Sequence, residues 1–507
     1  EKTQEDTSTE QTITPVDTWC DASWGGPAGT RSIAADFAHA HVGQRLFGPT
    51  ADWLGADQHL ATTLSSPLSV DTLVEYNALF SDLCLLEATE PTQTTTQVEM
   101  SSSLAIITPG TEPPTLPSEA TGVVIDLTTN VSEQDLKTTL ATVLAEEVSI
   151  GRRKVRRFLG FPSQEEGWTH YENNSDFIEI SIEGTGSNLP IHFLIGPQLS
   201  PTLATIVGGL RMTQKASILG YDVHSAVAES TWTGIEDQGL LWRSSMLYLD
   251  NETWPDTISA DLVITAIANN ETEIDALFPL TAISGETNRT QLQPYDREAG
   301  MHDDSLTQAE MRAALLVAYG TLDWFYPYFD IVGRDIDTAI DTQLSEIDSL
   351  EDNDRSGMMH VLGRFMHHIH DGHGFYTDYG SNDWPDGWMA IQVQQVNGAA
   401  IIRDSAQPGI TPGDEITSVD GTPIDEWYTE AMLRYSATSQ GYRFVLATDE
   451  LKELYGSKTL GLKTPSGEER TESITFESWD AMDSVAWGGT LKPSGWIEDT
   501  NLFYVNM

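Results

Sequence analysis

Short apolar runs alternate with helical stretches between residues 122 and 220, and this alternation constrains the fold more than any other feature of the chain. Gly122–Leu127, Ile191–Ile195 and Ala216–Gly220 are apolar runs of the length expected for buried strands. Helical stretches are predicted after the first two runs, over residues 133–148 and from about Pro201 to Gln214. Strands that alternate with helices pair in parallel, so the sequence predicts an α/β layer.

A second region, residues 387–478, is rich in strand-like segments that glycine and proline turns separate. Its most distinctive stretch runs from Pro408 to Val419 and is followed by Asp420-Gly421, a dipeptide typical of hairpin turns. Residues 305–350 and 356–370 have helical patterns, and Ser305 with Gln308 has the spacing of a capping box. The sequence therefore predicts a helical region followed by a small β domain.

Charge excludes two classes of partner. The 507 residues contain 77 Asp and Glu against 26 Lys and Arg, a formal net charge of -51. Nucleic-acid phosphates and an anionic membrane surface would both repel such a chain. No run of about 18 apolar residues occurs, so the sequence also predicts no membrane span.

Two cysteines and a polar start indicate the compartment. Cys20 and Cys84 form no CxxC pair, which disfavours a zinc-finger site and leaves a single disulfide as the expectation. Residues 1–18 are a polar leader rich in Thr, Glu and Gln, typical of an exported chain after processing. We expect an extracytoplasmic protein, whether secreted, periplasmic or at the cell surface.

A histidine-dense segment, residues 366–375, carries the clearest candidate for acid–base chemistry. His373 follows Asp371-Gly372, and histidine is the residue type best suited to act as a general base at neutral pH. His367 and His370 share a helix face and could bind zinc, but there is no His-Glu-x-x-His motif and a solvated helix end is favoured. The sequence predicts no metal and no other cofactor.

Taken together, these segments resemble the S41 serine peptidases of the C-terminal-processing and tricorn-core type. The resemblance implies a multidomain α/β fold: an S41-like (ClpP/crotonase-type) core, a helical region and a PDZ-like β domain. It implies Ser200 as the nucleophile at the start of a helix, and His373 as its general base. The segment Asp126-Leu-Thr-Thr-Asn130 takes the place of the family's Asp-Leu-Arg-Asn motif, with Thr instead of Arg.

The resemblance further implies that the PDZ-like domain captures a polypeptide substrate by its tail. The peptide adds a strand to the sheet, and its carboxylate rests on backbone N–H groups. Gly409, Ile410 and Ile416 are the peptide-binding residues that this resemblance suggests.

Two departures weaken the catalytic interpretation of Ser200. The next residue, Pro201, has no N–H for the oxyanion hole, where one lost donor costs about two to three orders of magnitude in rate. The stretch Tyr221–Ser225 has no lysine where one branch of the family has a catalytic Gly-Lys. A helix N-cap in a degenerate core is the favoured interpretation of Ser200.

The order of the segments predicts six domains. They are a disordered leader (1–18), a helical region and linker (19–110), a degenerate S41-like core (111–300), a helical region with Asp-Gly-His (301–384), a PDZ-like domain (385–495) and the first strand of a second core (496–507).

Because the core-like part precedes the PDZ-like part, two explanations compete. One is a tandem protein whose second unit is cut short, and the other is a rearranged unit in which residues 502–505 close the earlier sheet. The first is favoured, and it implies an association with a C-terminal fragment of the same precursor. The expected function is S41-type endopeptidase activity with an incomplete catalytic set, and the alternative is a non-catalytic, secreted peptide-binding scaffold.

Overall fold

The chain folds as two units in the computed structural model, each with its own hydrophobic core. The first comprises residues 1–301 and 312–326, and the second comprises residues 302–311 and 327–507. The structure describes residues 18–48, 60–80, 82–89, 95–158, 173–264, 266–268, 270–283, 306–374, 376, 385–486, 494–496 and 503–505.

The first unit is a mixed α/β structure. Its strands are β1 (Leu83–Glu87), β2 (Gln97–Ser101), β3 (Leu104–Thr108), β4 (Gly122–Leu127), β5 (Val148–Phe158), β6 (Asn173–Ile182), β7 (Ile191–Ile195), β8 (Ala216–Gly220), β9 (Val223–His224), β10 (Ser230–Ile235), β11 (Gln238–Arg243), β12 (Ser245–Leu249), β13 (Glu252–Thr253) and β14 (Thr257–Ile258). Its helices are α1 (Ile33–Phe47), α2 (Val70–Asn77), α3 (Glu133–Val143), α4 (Pro201–Met212), α5 (Ser225–Ala228) and α6 (Glu271–Asp275), preceded by a 3-10 helix (Thr18–Ala22).

The parallel sheet predicted from the apolar runs is confirmed. Its order is β2-β3-β4-β7-β8, with β3, β4, β7 and β8 parallel and β2 antiparallel. Ile125 and Phe193 pack into the larger core, to which α3 and α4 contribute Leu140 and Leu203. Alternate strand residues, such as Val124, pack into a smaller cluster that contains residues of α6. Burial on both faces explains why these strands are continuous apolar runs.

One sequence prediction for this unit was wrong. The end of the region 19–110 was expected to be a linker, because Thr, Pro and Ser are abundant there. Instead, Gln97–Ser101 and Leu104–Thr108 form a hairpin, and the latter strand pairs with β4. The apolar run at residues 104–107 outweighs the loop-like composition around it, because pairing with β4 buries it.

The second unit is organised around an antiparallel sheet of order β16-β17-β18-β21-β22, with β19 paired to β18. Its strands are β15 (Gly387–Trp388), β16 (Ile391–Val396), β17 (Ala399–Ser405), β18 (Glu415–Val419), β19 (Thr422–Pro423), β20 (Glu453–Leu454), β21 (Ser457–Lys463), β22 (Glu469–Thr475), β23 (Ser494–Trp496) and β24 (Phe503–Val505). Its helices are α8 (Phe329–Val332), α9 (Ile336–Ile347), α10 (Arg355–His367), α11 (Ile424–Met432), α12 (Gln440–Lys452) and α13 (Trp479–Ala486), and α7 (Gln308–Phe325) belongs partly to each unit.

One detail at the start of this region differs from the expectation. The N-terminal capping box of α7 is formed by Thr307 and Glu310, whose side chains each accept the other's backbone N–H, and Ser305 lies outside the described residues. Within the described residues, the strand β24 pairs with β23 in a two-stranded sheet, and closure of the earlier sheet by residues 502–505 stays a prediction. In the part of the chain that the structure describes, no helix has the length and apolarity that a membrane crossing requires.

We predict that the disulfide between Cys20 and Cys84 stabilises the first unit. The two residues are 64 positions apart, so in the chain-entropy model removing the cross-link costs about 4 kcal/mol. The double variant Cys20→Ala/Cys84→Ala should show this loss in unfolding free energies from hydrogen exchange of first-unit peptides.

The reduced wild type is the control and should match the double variant. Equal protection in the oxidised wild type and the double variant would contradict the prediction. Peptides from the second unit should be unaffected in every sample, since both cysteines lie in the first unit.

Candidate functional site

Ser200 lies five residues after the end of β7 and is the N-cap of α4. Its half-buried hydroxyl oxygen accepts a hydrogen bond from the N–H of Leu203 at 3.4 Å. Pro201 occupies the first turn, where a missing N–H costs the helix nothing. The local geometry is therefore that of a capped helix start, in which the serine oxygen already has a partner.

The other S41-like positions near this serine are also occupied by local contacts. A carboxylate oxygen of Asp126 accepts the backbone N–H of Thr128 at 2.9 Å and its hydroxyl at 2.6 Å. In the stretch where a lysine would be expected, Val223–His224 forms the short strand β9, which pairs with β14. These contacts stabilise turns and strand pairing in the first unit.

His373 lies in a loop of the second unit, whereas Ser200 belongs to the first. Its side chain is fully exposed, and its Nδ1 lies 3.7 Å from a carboxylate oxygen of Asp371. The same carboxylate accepts the backbone N–H of His373, and the N–H of Asp371 donates to the hydroxyl of Ser436. The loop is thus fixed to its own unit while the imidazole faces solvent.

Two other histidines of this segment, His367 and His370, contact polar protein groups. The Nδ1 of His367 lies 3.0 Å from the carbonyl oxygen of Tyr435, and the Nδ1 of His370 accepts from the guanidinium of Arg443 at 2.7 Å. Burial, and then the nearby Arg443 charge, lowers the pKa of His367. Across the described residues, no three His, Cys, Asp or Glu side chains come together in a way that could hold a metal ion.

The three residues that the sequence suggested for peptide binding lie in or beside the core of the second unit. Ile416 is fully buried and Ile410 is 4% exposed. Gly409 has a φ of +79°, and its carbonyl oxygen accepts from Arg470 at 2.8 Å. Their role in peptide binding stays a prediction, and the concave surface described below is lined by other residues.

Asp414 explains why this turn has its distinctive sequence. The carboxylate is fully buried and accepts the N–H of Thr411 at 2.9 Å, its hydroxyl at 3.0 Å and the guanidinium of Arg470 at 2.5 Å. Burial alone would raise the pKa of Asp414, but these hydrogen bonds outweigh it and hold the pKa below its ordinary value. The residue anchors the turn to β22.

A groove of about 250 Å³ lies beside the start of β16. One wall is formed by Trp388, Met389, Ile391 and Gln392, and the opposite wall by residues of α13 together with Lys452 at the end of α12. The α13 residues are Met482 and Val485. The lining is mainly apolar, as is usual for binding sites in proteins.

Beside the groove lies a sheet edge. Among the residues that the structure describes, β16 is the last strand in the order of its sheet, and Gln394, Gln395 and Val396 are exposed. It joins β17 through Asn397-Gly398, both at positive φ, in a two-residue hairpin. In such a hairpin the closing pair is hydrogen-bonded and the next pair is not, so the N–H of Gln395 faces away from β17.

Sequence reasoning missed this groove and edge. Two signals were available: the Asn397-Gly398 dipeptide, which marks a hairpin, and the run of glutamines in residues 392–395, which marks an exposed strand. Neither signal says which side of the hairpin lies at the edge of the sheet, because strand order depends on pairing between distant segments.

No protein-family model matches the chain, and no curated protein matches it. Solved structures similar to parts of it include mature CPAF, with 17% identity over 32% of this chain and 33% of that chain and a TM-score of 0.27. They also include a lipoprotein from Streptococcus agalactiae, with 10% identity over 49% of this chain and 97% of that chain and a TM-score of 0.32.

A third is the photosystem II D1 C-terminal processing protease, with 10% identity, coverage of 36% and 48%, and a TM-score of 0.20. The matched part spans about a third of the CPAF chain. With TM-scores below 0.5, these similarities assign neither a fold nor an activity.

We predict that Ser200 acts as a helix cap. Ser200→Ala should lower the unfolding free energy of the first unit by about 1 kcal/mol, because the N–H of Leu203 loses its acceptor. Ser200→Asp is the matched control and should retain the stability, since aspartate caps as well as serine does. Chemical denaturation measures both, and an unchanged stability in the alanine variant would contradict the assignment.

We predict that the buried carboxylate of Asp414, paired with Arg470, makes the second unit sensitive to acid. A lowered folded-state pKa gives stability that is present above pH about 4, the ordinary value for Asp, and is lost as pH falls through the folded value. Asp414→Asn should be about 1–3 kcal/mol less stable than wild type at pH 7, and this difference should shrink below pH about 4.

Glu415→Gln is the control for this pH dependence. It removes one negative charge at the next residue, whose exposed partner Lys463 lies 3.8 Å away. Exposed pairs contribute little, so its stability should follow the wild-type curve. Urea denaturation of the two variants and wild type between pH 7 and pH 3 makes the comparison, and parallel curves for Asp414→Asn and wild type would refute the prediction.

Proposed function

We propose that this chain binds extended polypeptide segments at the edge formed by β16. In this proposal the architecture is S41-like, and Ser200 serves as the N-cap of α4 and not as a nucleophile. The observation that carries the proposal is the sheet edge itself. It combines exposed residues 394–396, an outward N–H at Gln395 and an adjoining apolar groove. An extended peptide can pair with such an edge by main-chain hydrogen bonds, while the groove accepts a side chain.

The chemistry of the edge supports a transient partner rather than permanent pairing. The exposed glutamines at 394 and 395 make the strand soluble when it has no partner. They also impose few demands on the side chains opposite them, because amides accept and donate hydrogen bonds equally. Affinity would come mainly from the backbone, and selectivity from the groove lined by Met389, Ile391 and Val485.

Hydrolysis of the bound polypeptide is the second candidate function, and the exposure of His373 favours it. A fully exposed imidazole is accessible to a substrate or a nucleophile. In that scheme His373 is the general base of an S41-type acyl transfer. Ser200 is unsuited as its nucleophile, because its oxygen caps α4 and Pro201 supplies no oxyanion donor.

The disulfide supports a location outside the cytoplasm as part of the proposal. Cys84 lies in β1 and is 1% exposed, and it is bonded to Cys20. Disulfides persist in oxidising compartments and are rare in the cytosol. A polypeptide-binding protein there would encounter secreted or surface-bound chains.

We predict that Gln395→Pro weakens peptide binding at least about tenfold, because proline removes the N–H that faces away from β17. Gln395→Ala keeps that N–H and should bind within about threefold of wild type. Fluorescence anisotropy with a labelled, lysine-containing decapeptide of alternating Val and Thr measures both variants.

Circular dichroism should show that both variants retain the wild-type fold. Equal binding by Gln395→Pro and Gln395→Ala would sink the proposal. Fluorophosphonate labelling that disappears in His373→Ala would instead favour hydrolysis.

A further inference from the structure

We propose that the β16 edge takes internal segments of polypeptides and does not recognise a free C-terminal carboxylate. This inference rests on the proposed function and narrows its substrate class. Capture of a C-terminal tail needs convergent, unpaired backbone N–H groups where the carboxylate sits. The turn that leads into β16, residues 386–391, is where these groups would have to lie.

The N–H groups of Asp386, Met389, Ala390 and Ile391 in that turn have partners inside the unit. Asp386 donates to the carbonyl oxygen of Leu454 at 2.8 Å, and Met389 donates to that of Lys452 at 2.7 Å. The short strand β15 in the same turn pairs with β20, so the turn is tied to the end of α12.

The next two residues of the turn are satisfied as well. Ala390 donates to the side-chain oxygen of Gln407 at 3.4 Å, and Ile391 donates to the carbonyl oxygen of Met389 at 2.9 Å. Gln407 is itself 4% exposed and is fixed by a hydrogen bond from its amide to the carbonyl oxygen of Thr475. A carboxylate would have to displace these bonds and leave their acceptors buried without donors, which is costly.

Aromatic rings cover the turn from outside. A Cβ at Gly387 would lie 2.1 Å from the ring of Phe476, so that ring rests directly on the glycine backbone. The centroid of the Trp479 ring lies 5.1 Å from that of Phe476 and 5.6 Å from that of Trp388. A carboxylate placed here would lose water without gaining polar partners, whereas an apolar side chain fits.

Charge around the turn also disfavours a carboxylate. The carboxylates of Asp386 and Glu453 flank the turn, the second on the residue paired with Trp388. Burial, and then the nearby Glu450, raises the pKa of Glu453. The ammonium of Lys452, which lines the groove, lies 2.6 Å from a carboxylate oxygen of Asp449.

The test uses the full chain and one fluorescein-labelled probe, the decapeptide Lys-Val-Thr-Val-Lys-Val-Thr-Val-Lys-Val, in three forms. These have a free C-terminal carboxylate, a C-terminal amide, or a Gly-Ser-Gly-Ser extension that makes the segment internal. We expect the three dissociation constants from anisotropy to agree within about threefold. A Lys452→Met variant should bind the free acid and the amide with equal affinity.

Each other outcome has one meaning. If the free acid binds about tenfold or more tightly than the amide and the extended form, a carboxylate is recognised and the inference is overturned, while the proposed function stands. The same holds if Lys452→Met weakens only the free acid. If no form binds, or if Gln395→Pro binds all three as wild type does, the proposed function itself fails.

Discussion

Under the proposed function, the pairing of backbone N–H groups in the turn before β16 limits which parts of a polypeptide the second unit can bind. An extended peptide on a sheet edge needs unpaired backbone groups along a strand, whereas capture of its terminus needs a cluster of them in a turn. Here the N–H of Gln395 on the strand faces outward. In the turn, the backbone N–H groups of Met389 and Ala390 donate hydrogen bonds to groups within the unit. The same unit is therefore open along its edge and closed at its end.

A similar accounting applies to Ser200 in the first unit. A helix start has N–H groups without intrahelical partners, and an enzyme can turn them toward a developing oxyanion. In this chain one of them is absent because of Pro201, and that of Leu203 is taken by the serine hydroxyl. The arrangement gains about 1 kcal/mol of helix stability, while a lost oxyanion donor would cost about 3–4 kcal/mol in a transition state. The arrangement at Ser200 therefore stabilises the fold and is unsuited to catalysis.

The parts of the fold that the sequence predicted are those that depend on burial. Gly122–Leu127 and Ile191–Ile195 were recognisable because a strand covered on both faces must be apolar throughout. Gln97–Ser101 was missed because an edge strand with mostly exposed side chains looks like a loop in sequence. The β16 edge was missed for the same reason, since exposed glutamines carry no sign of strand order.

The candidate site was harder to predict because the residues in distinctive motifs are not the residues that line the groove. Asp414 stands in the most distinctive motif of the second unit, and its buried carboxylate holds a turn to Arg470. Trp388 and Met389 stand in no distinctive motif, yet they line the groove. A sequence motif is distinctive when its residues must make many local contacts at once. Residues of this kind, such as Asp414, are buried. A surface that accepts varied peptides imposes weaker requirements on its residues, so its position follows from the folded topology more than from local sequence.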